Sequence, residues 1–193
     1  MLQIGLSGGI GSGKSTIAMV LEKMGYPVFY SDQVAKRLYV EHPVLQKQLV
    51  DLLGPEVYRD GQLNRQFLSE QLFSNAELKA QVSALVHPIV RSTFENWAQQ
   101  QTSDLVFNEA AILFETGAYL LFDATILIMA PLETRIERVQ KRDSLSREEV
   151  LKRIANQWTD AQKMALTPHH IINDGRPLLQ QIEKILTVFN TPS

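Results

Sequence analysis

"GLSGGIGSGKST", Gly5 to Thr16, follows the apolar opening "LQI" and leads into "IAMVLEKMG". A run with five glycines in twelve residues forms neither a good helix nor a good strand. It nevertheless stands where a hydrophobic strand should hand over to a helix. Gly8, Gly13, Lys14 and Ser15 satisfy the pattern G-x-x-x-x-G-K-[ST]. In such a loop, successive backbone N–H groups curl around an anion, and only residues without a Cβ tolerate the dihedrals and the close approach. Gly8, Gly9, Gly11 and Gly13 meet that demand. The positive end of a helix starting near Lys14 then faces the phosphates. Lys14 reaches the β- and γ-phosphates of a nucleoside triphosphate, the Ser15 hydroxyl suits Mg²⁺, and Thr16 lies near the α-phosphate. The alternative, a plain glycine-rich turn, does not account for the strand before the motif and the helix after it.

Working outward, short apolar runs recur at 2–6, 27–30, 104–108, 124–129 and 169–173, each followed by helical patterning. That alternation predicts an α/β fold with a parallel sheet and helices packed on it. The first helix is expected from Lys14 to Met24, with Gly25 closing it. Between Asp32 and Thr102 the patterning is helical, with the segment 76–101 expected to break at Pro88. Ser146 with Glu149, and Thr159 with Gln162, have capping-box spacing and predict two short helices standing off the sheet.

The chain has 193 residues, 45% of them hydrophobic, enough for one domain with excursions. Nineteen Lys and Arg against 21 Asp and Glu leave a net charge of −2, so no global basic field gathers nucleic acid or an anionic membrane. The absence of cysteine excludes disulfides, thiolate metal sites and a cysteine nucleophile. No apolar run approaches a transmembrane length, and no secretory leader pattern opens the sequence. The expectation is a cytoplasmic protein with small-molecule substrates and no nucleic-acid, membrane or protein partner.

The phosphate loop alone does not distinguish phosphoryl transfer, hydrolysis or switching. A guanine-reading N-K-x-D is missing, which argues against a nucleotide-dependent switch. "LVFNEA" ends in Asn108 and Glu109, and Glu109 either assists a metal through water or caps a following helix. Asp32, just past the second strand, either accepts a proton from an attacking hydroxyl or caps the next helix. Arg135, Arg138 and Arg142 share a helical face. They either close over transferring phosphates or form a solvated basic face, which Glu137 and Asp143 keep open as a reading. His87 and Arg91 in "HPIVR" sit at helical spacing, and taken alone an ordinary helix junction suffices for them.

Several segments together resemble the dephospho-CoA kinases, P-loop kinases related to nucleoside monophosphate kinases. They are "GLSGGIGSGKST", "VFYSDQVAKRL", "VHPIVR", "ILFETG", "ERVQKRDSLSREEVLKRIANQ" and "IINDG". The resemblance implies a P-loop fold with strand order 2-3-1-4-5, a helical substrate-binding insertion and a helical lid. It implies transfer of the ATP γ-phosphoryl group to the ribose 3′-hydroxyl of dephospho-CoA, with Mg²⁺. Carried onto this sequence, it makes Gly9, Gly11, Ser12, Gly13, Lys14, Ser15 and Thr16 the nucleotide cradle and Asp32 the general base. His87 and Arg91 become acceptor contacts, Arg138 and Arg142 lid arginines, and Asn173 an adenine-side residue. On this reading the core is 1–31, 103–137 and 166–193, the CoA-binding insertion 32–102, and the lid 138–165. The family commonly has Asp-Ala-Asp where this chain has "YSD", Pro-Leu-Leu-Phe-Glu where it has "AILFE", and Ala-Asp where it has Thr167-Pro168. The nearest rival activity is that of another small-molecule or nucleotide kinase of the same fold.

Overall fold

In the computed structural model, which describes residues 1–190, the chain opens with β1 (Leu2–Gly8), α1 (Lys14–Lys23) and β2 (Val28–Tyr30). A helical stretch follows: α2 (Ser31–Glu41), α3 (Pro43–Leu53), the small hairpin β3 (Tyr58–Arg59) and β4 (Gln62–Leu63), α4 (Arg65–Ser74) and α5 (Ala76–Gln99). Then come β5 (Leu105–Glu109), β6 (Ala124–Met129), α6 (Leu132–Asp143), α7 (Arg147–Ala155), α8 (Asp160–Met164), β7 (His169–Ile172) and α9 (Leu178–Asn190). The contacts divide these elements into two compact units, one made of Met1–Tyr30 with the residues from Gln101 onward, the other of Ser31–Gln100.

In the first unit five strands pair in the order β2-β5-β1-β6-β7, all parallel. Counted over these five strands that is 2-3-1-4-5, the order implied by the resemblance. Alternate residues of the strands, among them Ile4, Leu6, Phe107, Ile126 and Ile128, face one side and pack on Ile17, Ala18 and Leu21 of α1 and Ile182, Ile185 and Leu186 of α9. Because the sheet is parallel, Gly8, Tyr30, Glu109 and Met129 all end their strands at one edge. Ligands of open α/β sheets bind at that edge.

Helix α1 ends as expected. Gly25 has φ 92°, its N–H reaches the Glu22 carbonyl at 3.0 Å, and the Tyr26 N–H reaches the Leu21 carbonyl at 3.0 Å. This Schellman arrangement satisfies two otherwise orphaned carbonyls and turns the chain straight into β2.

The second unit has its own core of Leu45, Leu49, Val57, Leu68, Val82 and Val86. The expected break at Pro88 does not occur, and α5 continues through it. Pro88 and Ala84, whose carbonyl loses its donor, are both exposed, so solvent can replace the missing bond. Burial of Val82 and Val86 on one stripe meanwhile holds the helix to its neighbours.

Both capping boxes form, at Ser146 with Glu149 and at Thr159 with Gln162. Of the helices they start, α7 packs on α6, whereas α8 lies on the sheet and departs from the expectation. Val150 of α7 is buried against Ile136 and Val139 of α6, and α8 packs against β6 with Lys163 fully buried. Among the described residues no helix is long and apolar enough to cross a membrane.

Two histidines carry a pH dependence. Burial lowers the pKa of His169, whose ring lies 4.8 Å edge-on to Phe189, and the adjacent His170 charge adds to the effect. Desolvation also lowers that of His87, although its side chain still reaches solvent. As pH falls below the ordinary value of 6.5, the unfolded chain binds protons that the folded chain resists, so stability decreases. Urea unfolding at pH 7.5 and 5.5 should show this loss, and His87→Gln with His169→Gln should flatten it.

Candidate phosphate-binding site

Between β1 and α1 the chain forms a loop whose shape is fixed from outside as well as from within. Gly11 and Gly13 have φ of 78° and 96°, and the Ser12 N–H closes a turn onto the Gly9 carbonyl at 3.1 Å. A Cβ on Gly9 would collide with the Arg135 guanidinium, and one on Gly13 with the Asn173 amide nitrogen. The glycines therefore serve close packing around the loop in addition to its dihedrals.

Helix α1 begins with unusual bareness. Gly13 at its N-cap provides no side-chain hydrogen bond, and its first turn contains no acidic residue. Most helices satisfy their first N–H groups with a Ser, Thr, Asp or Asn cap. Here no side chain caps them, although the Thr16 N–H turns back to the Gly13 carbonyl at 3.0 Å, and the helix dipole favours an anion at this end. Ser12 Oγ is buried with no hydrogen-bond partner among the described residues, whereas Ser15 and Thr16 are exposed at the helix start. The donor set fits a polyphosphate. It also fits Mg²⁺, since the exposed Ser15 hydroxyl is a hard oxygen ligand. Among the described residues no group of three or more His, Asp or Glu gathers to hold a metal, so phosphate and water oxygens would complete its shell.

The three arginines of α6 part company. Arg135 is 7% exposed and donates from Nε to the Ile10 carbonyl at 2.9 Å. Arg138 uses both arms of its fork, one toward the Gly11 and Ser12 carbonyls at 3.3 and 3.4 Å, the other toward Asn173 O and Oδ1 at 3.4 and 3.2 Å. Arg142 is exposed and bonded to Asp143 at 2.7 Å, which holds that carboxyl below the usual range. Asn173, which the resemblance makes an adenine-side residue, donates its amide to the Ser12 carbonyl of the loop at 2.9 Å. Replacing Gly13 by Ala should therefore cost about 1–3 kcal/mol of stability, from positive φ and the clash with Asn173. Chemical denaturation would measure it, and stability equal to the unsubstituted chain would refute this view of the loop.

Glu109 is buried at the end of β5, level with Leu6 and Tyr30. It caps no helix, because turns follow it up to a short helical turn at Ala118–Leu121. The nearby Tyr30 hydroxyl donates to Glu22 at 2.9 Å, and burial, the Glu22 bond and the Glu109 charge all raise the phenol's pKa.

In the second unit Asp32 lies in the first turn of α2, whose first residue is Ser31, so it is not the cap. It is exposed, and its side chain makes no hydrogen bond or ion pair among the described residues. His87 and Arg91 project from α5 one turn apart, and Arg91 pairs with Glu95 at 2.8 Å.

Sequence reasoning missed Gln157, which accepts the Ile10 N–H at 2.8 Å across 147 positions. It also missed the pairing of Lys163 with Glu115 at 2.7 Å. Neither has a local signal, because each is defined by a partner far along the chain.

The sequence model of the dephospho-CoA kinase family matches residues 2–178. A dephospho-CoA kinase of Bacteroides fragilis is 40% identical over 187 residues, covering 96% of this chain and 91% of that protein. One of Wolinella succinogenes is 35% identical over 188 residues, covering 95% and 92%. A crystal structure of a Thermus thermophilus protein superposes with TM-score 0.89 at 36% identity, covering 99% of this chain and 98% of that one. The dephospho-CoA kinase of Campylobacter jejuni, at 23% identity and TM-score 0.70 over 97% and 96%, shares the fold. With a phosphate loop at the sheet edge and relatives matched over nearly its whole length, this chain belongs to the dephospho-CoA kinase family.

Proposed function

We propose that this chain transfers the γ-phosphoryl group of MgATP to the ribose 3′-hydroxyl of dephospho-CoA, giving CoA and ADP in the cytoplasm. The observation that carries the reading is the uncapped, acid-free start of α1 wrapped by the glycine loop, in a member of this family. The loop amides and Lys14 hold the β- and γ-phosphates, and the Thr16 side stands by the α-phosphate. Ser15, with phosphate oxygens, would hold Mg²⁺, which would supply charge neutralisation on the phosphates.

As the 3′-oxygen attacks the γ-phosphorus, Asp32 takes its proton, and the bond from the γ-phosphorus to the oxygen bridging it to the β-phosphate breaks to release ADP. Arg138 stabilises the equatorial oxygens, with Arg142 joining it once it leaves Asp143. His87 and Arg91 bind the acceptor within the helical insertion 32–102, and the segment 138–165, held at its 157–163 end, closes its remainder over the phosphates and excludes water. Asn173 serves the nucleotide by holding Ser12 and Arg138.

The deciding experiment is ADP release from MgATP by the purified protein with and without dephospho-CoA, with product mass measured. Acceptor-dependent turnover and a product one phosphate heavier are expected. ATP binding without such transfer would move the acceptor to another hydroxyl compound.

A further inference from the structure

Ile10 stands at the crown of the phosphate loop, and both of its backbone groups are taken by distant side chains. Its N–H donates to Gln157 Oε1 at 2.8 Å, and its carbonyl accepts from Arg135 Nε at 2.9 Å. Both side chains belong to the same unit as the loop. In a trans peptide the C=O and N–H point to opposite sides. Arg135, by holding the Ile10 carbonyl, turns the Gly11 N–H the other way. Gln157, by holding the Ile10 N–H, turns the Gly9 carbonyl away from itself, where the Ser12 N–H takes it. Two side chains thus set two consecutive peptide planes of the loop.

Buried charge seats each clamp. Arg135 Nη1 lies 3.5 Å from Asp160 Oδ2. Trp158, next to Gln157, donates its backbone N–H to Glu115 Oε1 at 3.1 Å, and the same oxygen lies 2.7 Å from the fully buried Lys163 ammonium. Buried ion pairs seldom add net stability, although losing one partner is costly. The pair fixes where residues 157–163 sit.

We propose that Gln157 and Arg135 are positioning residues that preset the phosphate loop before nucleotide arrives, seated by the Glu115–Lys163 pair. The clamp itself depends on geometry alone, and its consequence for ATP rests on the kinase reading above. A loop whose amides already face the anion spends no free energy on reorganisation when phosphate binds.

The test uses the full chain with Gln157→Leu, which removes the acceptor, and Gln157→Glu, which keeps one. Amide exchange at Ile10 is followed by NMR without nucleotide, and ATP affinity by calorimetry without acceptor. One hydrogen bond to the backbone corresponds to about a fivefold effect. Gln157→Leu should therefore speed Ile10 exchange and weaken ATP binding by about fivefold each, with Gln157→Glu keeping Ile10 exchange within about twofold of the unsubstituted chain. Unchanged Ile10 exchange in Gln157→Leu overturns the clamp, and faster exchange with undiminished ATP affinity overturns the positioning role. Should Gln157→Leu not fold, Gln157→Ala decides in its place through the same exchange at Ile10. If the unsubstituted chain binds no ATP, the kinase reading fails while the exchange measurement still judges the clamp.

Discussion

Asp32→Asn is expected to lower acceptor-dependent turnover by about 10²–10⁴-fold while leaving ATP affinity within about twofold. The carboxylate is exposed in the first turn of α2 and engaged by no other side chain, so its lone pairs are available to a proton. Asn has the same size and also suits a helix start, so the local fold should survive the exchange. What it lacks is the basicity to take the proton of the attacking hydroxyl. Steady-state transfer combined with calorimetric ATP binding separates the two effects. Turnover equal to that of the unsubstituted chain would remove Asp32 from the chemistry.

Arg138→Ala should cost about 10²–10³-fold in kcat, the scale of losing one preorganised donor to transition-state charge. Its planar fork spans two sets of oxygens, the Gly11 and Ser12 carbonyls on one arm and Asn173 on the other. These bonds are long, at 3.2–3.4 Å, so phosphate oxygens can displace them at little cost. Lys at this position should restore little, because one ammonium cannot serve both arms. Arg142→Ala should fall within about tenfold, since Arg142 is exposed and must first give up Asp143. Equal losses for the two alanine variants in transfer assays would contradict this division of labour.

The sheet was legible because buried parallel strands are short apolar runs bounded by turns. The loop was legible because its chemistry demands glycines at fixed spacing. Arginine spacing was less informative. A helical period of three and four placed Arg135, Arg138 and Arg142 on one face, but it did not say that the first would be buried, the second shared with Asn173 and the third paired with its neighbour. Proline misled for a related reason. Its local cost at position 88 is real, yet packing of Val82 and Val86 and the exposure of Ala84 outweigh it. Gln157 and Ile10 meet across 147 positions, and nothing local in either segment announces the other.

The central place of β1 has a consequence for how the protein is made. Its two neighbours are β5, beginning at Leu105, and β6, beginning at Ala124, so β1 pairs with nothing until those later strands have been made. At about 5–20 residues per second, the apolar segment that leads into the phosphate loop waits on the order of 5–20 s with both edges open. The helical unit Ser31–Gln100, rich in local contacts, emerges whole during that wait and has a core of its own to collapse around. The contacts of the second unit are therefore within reach of one another before the strand that leads into the phosphate loop can find either of its neighbours.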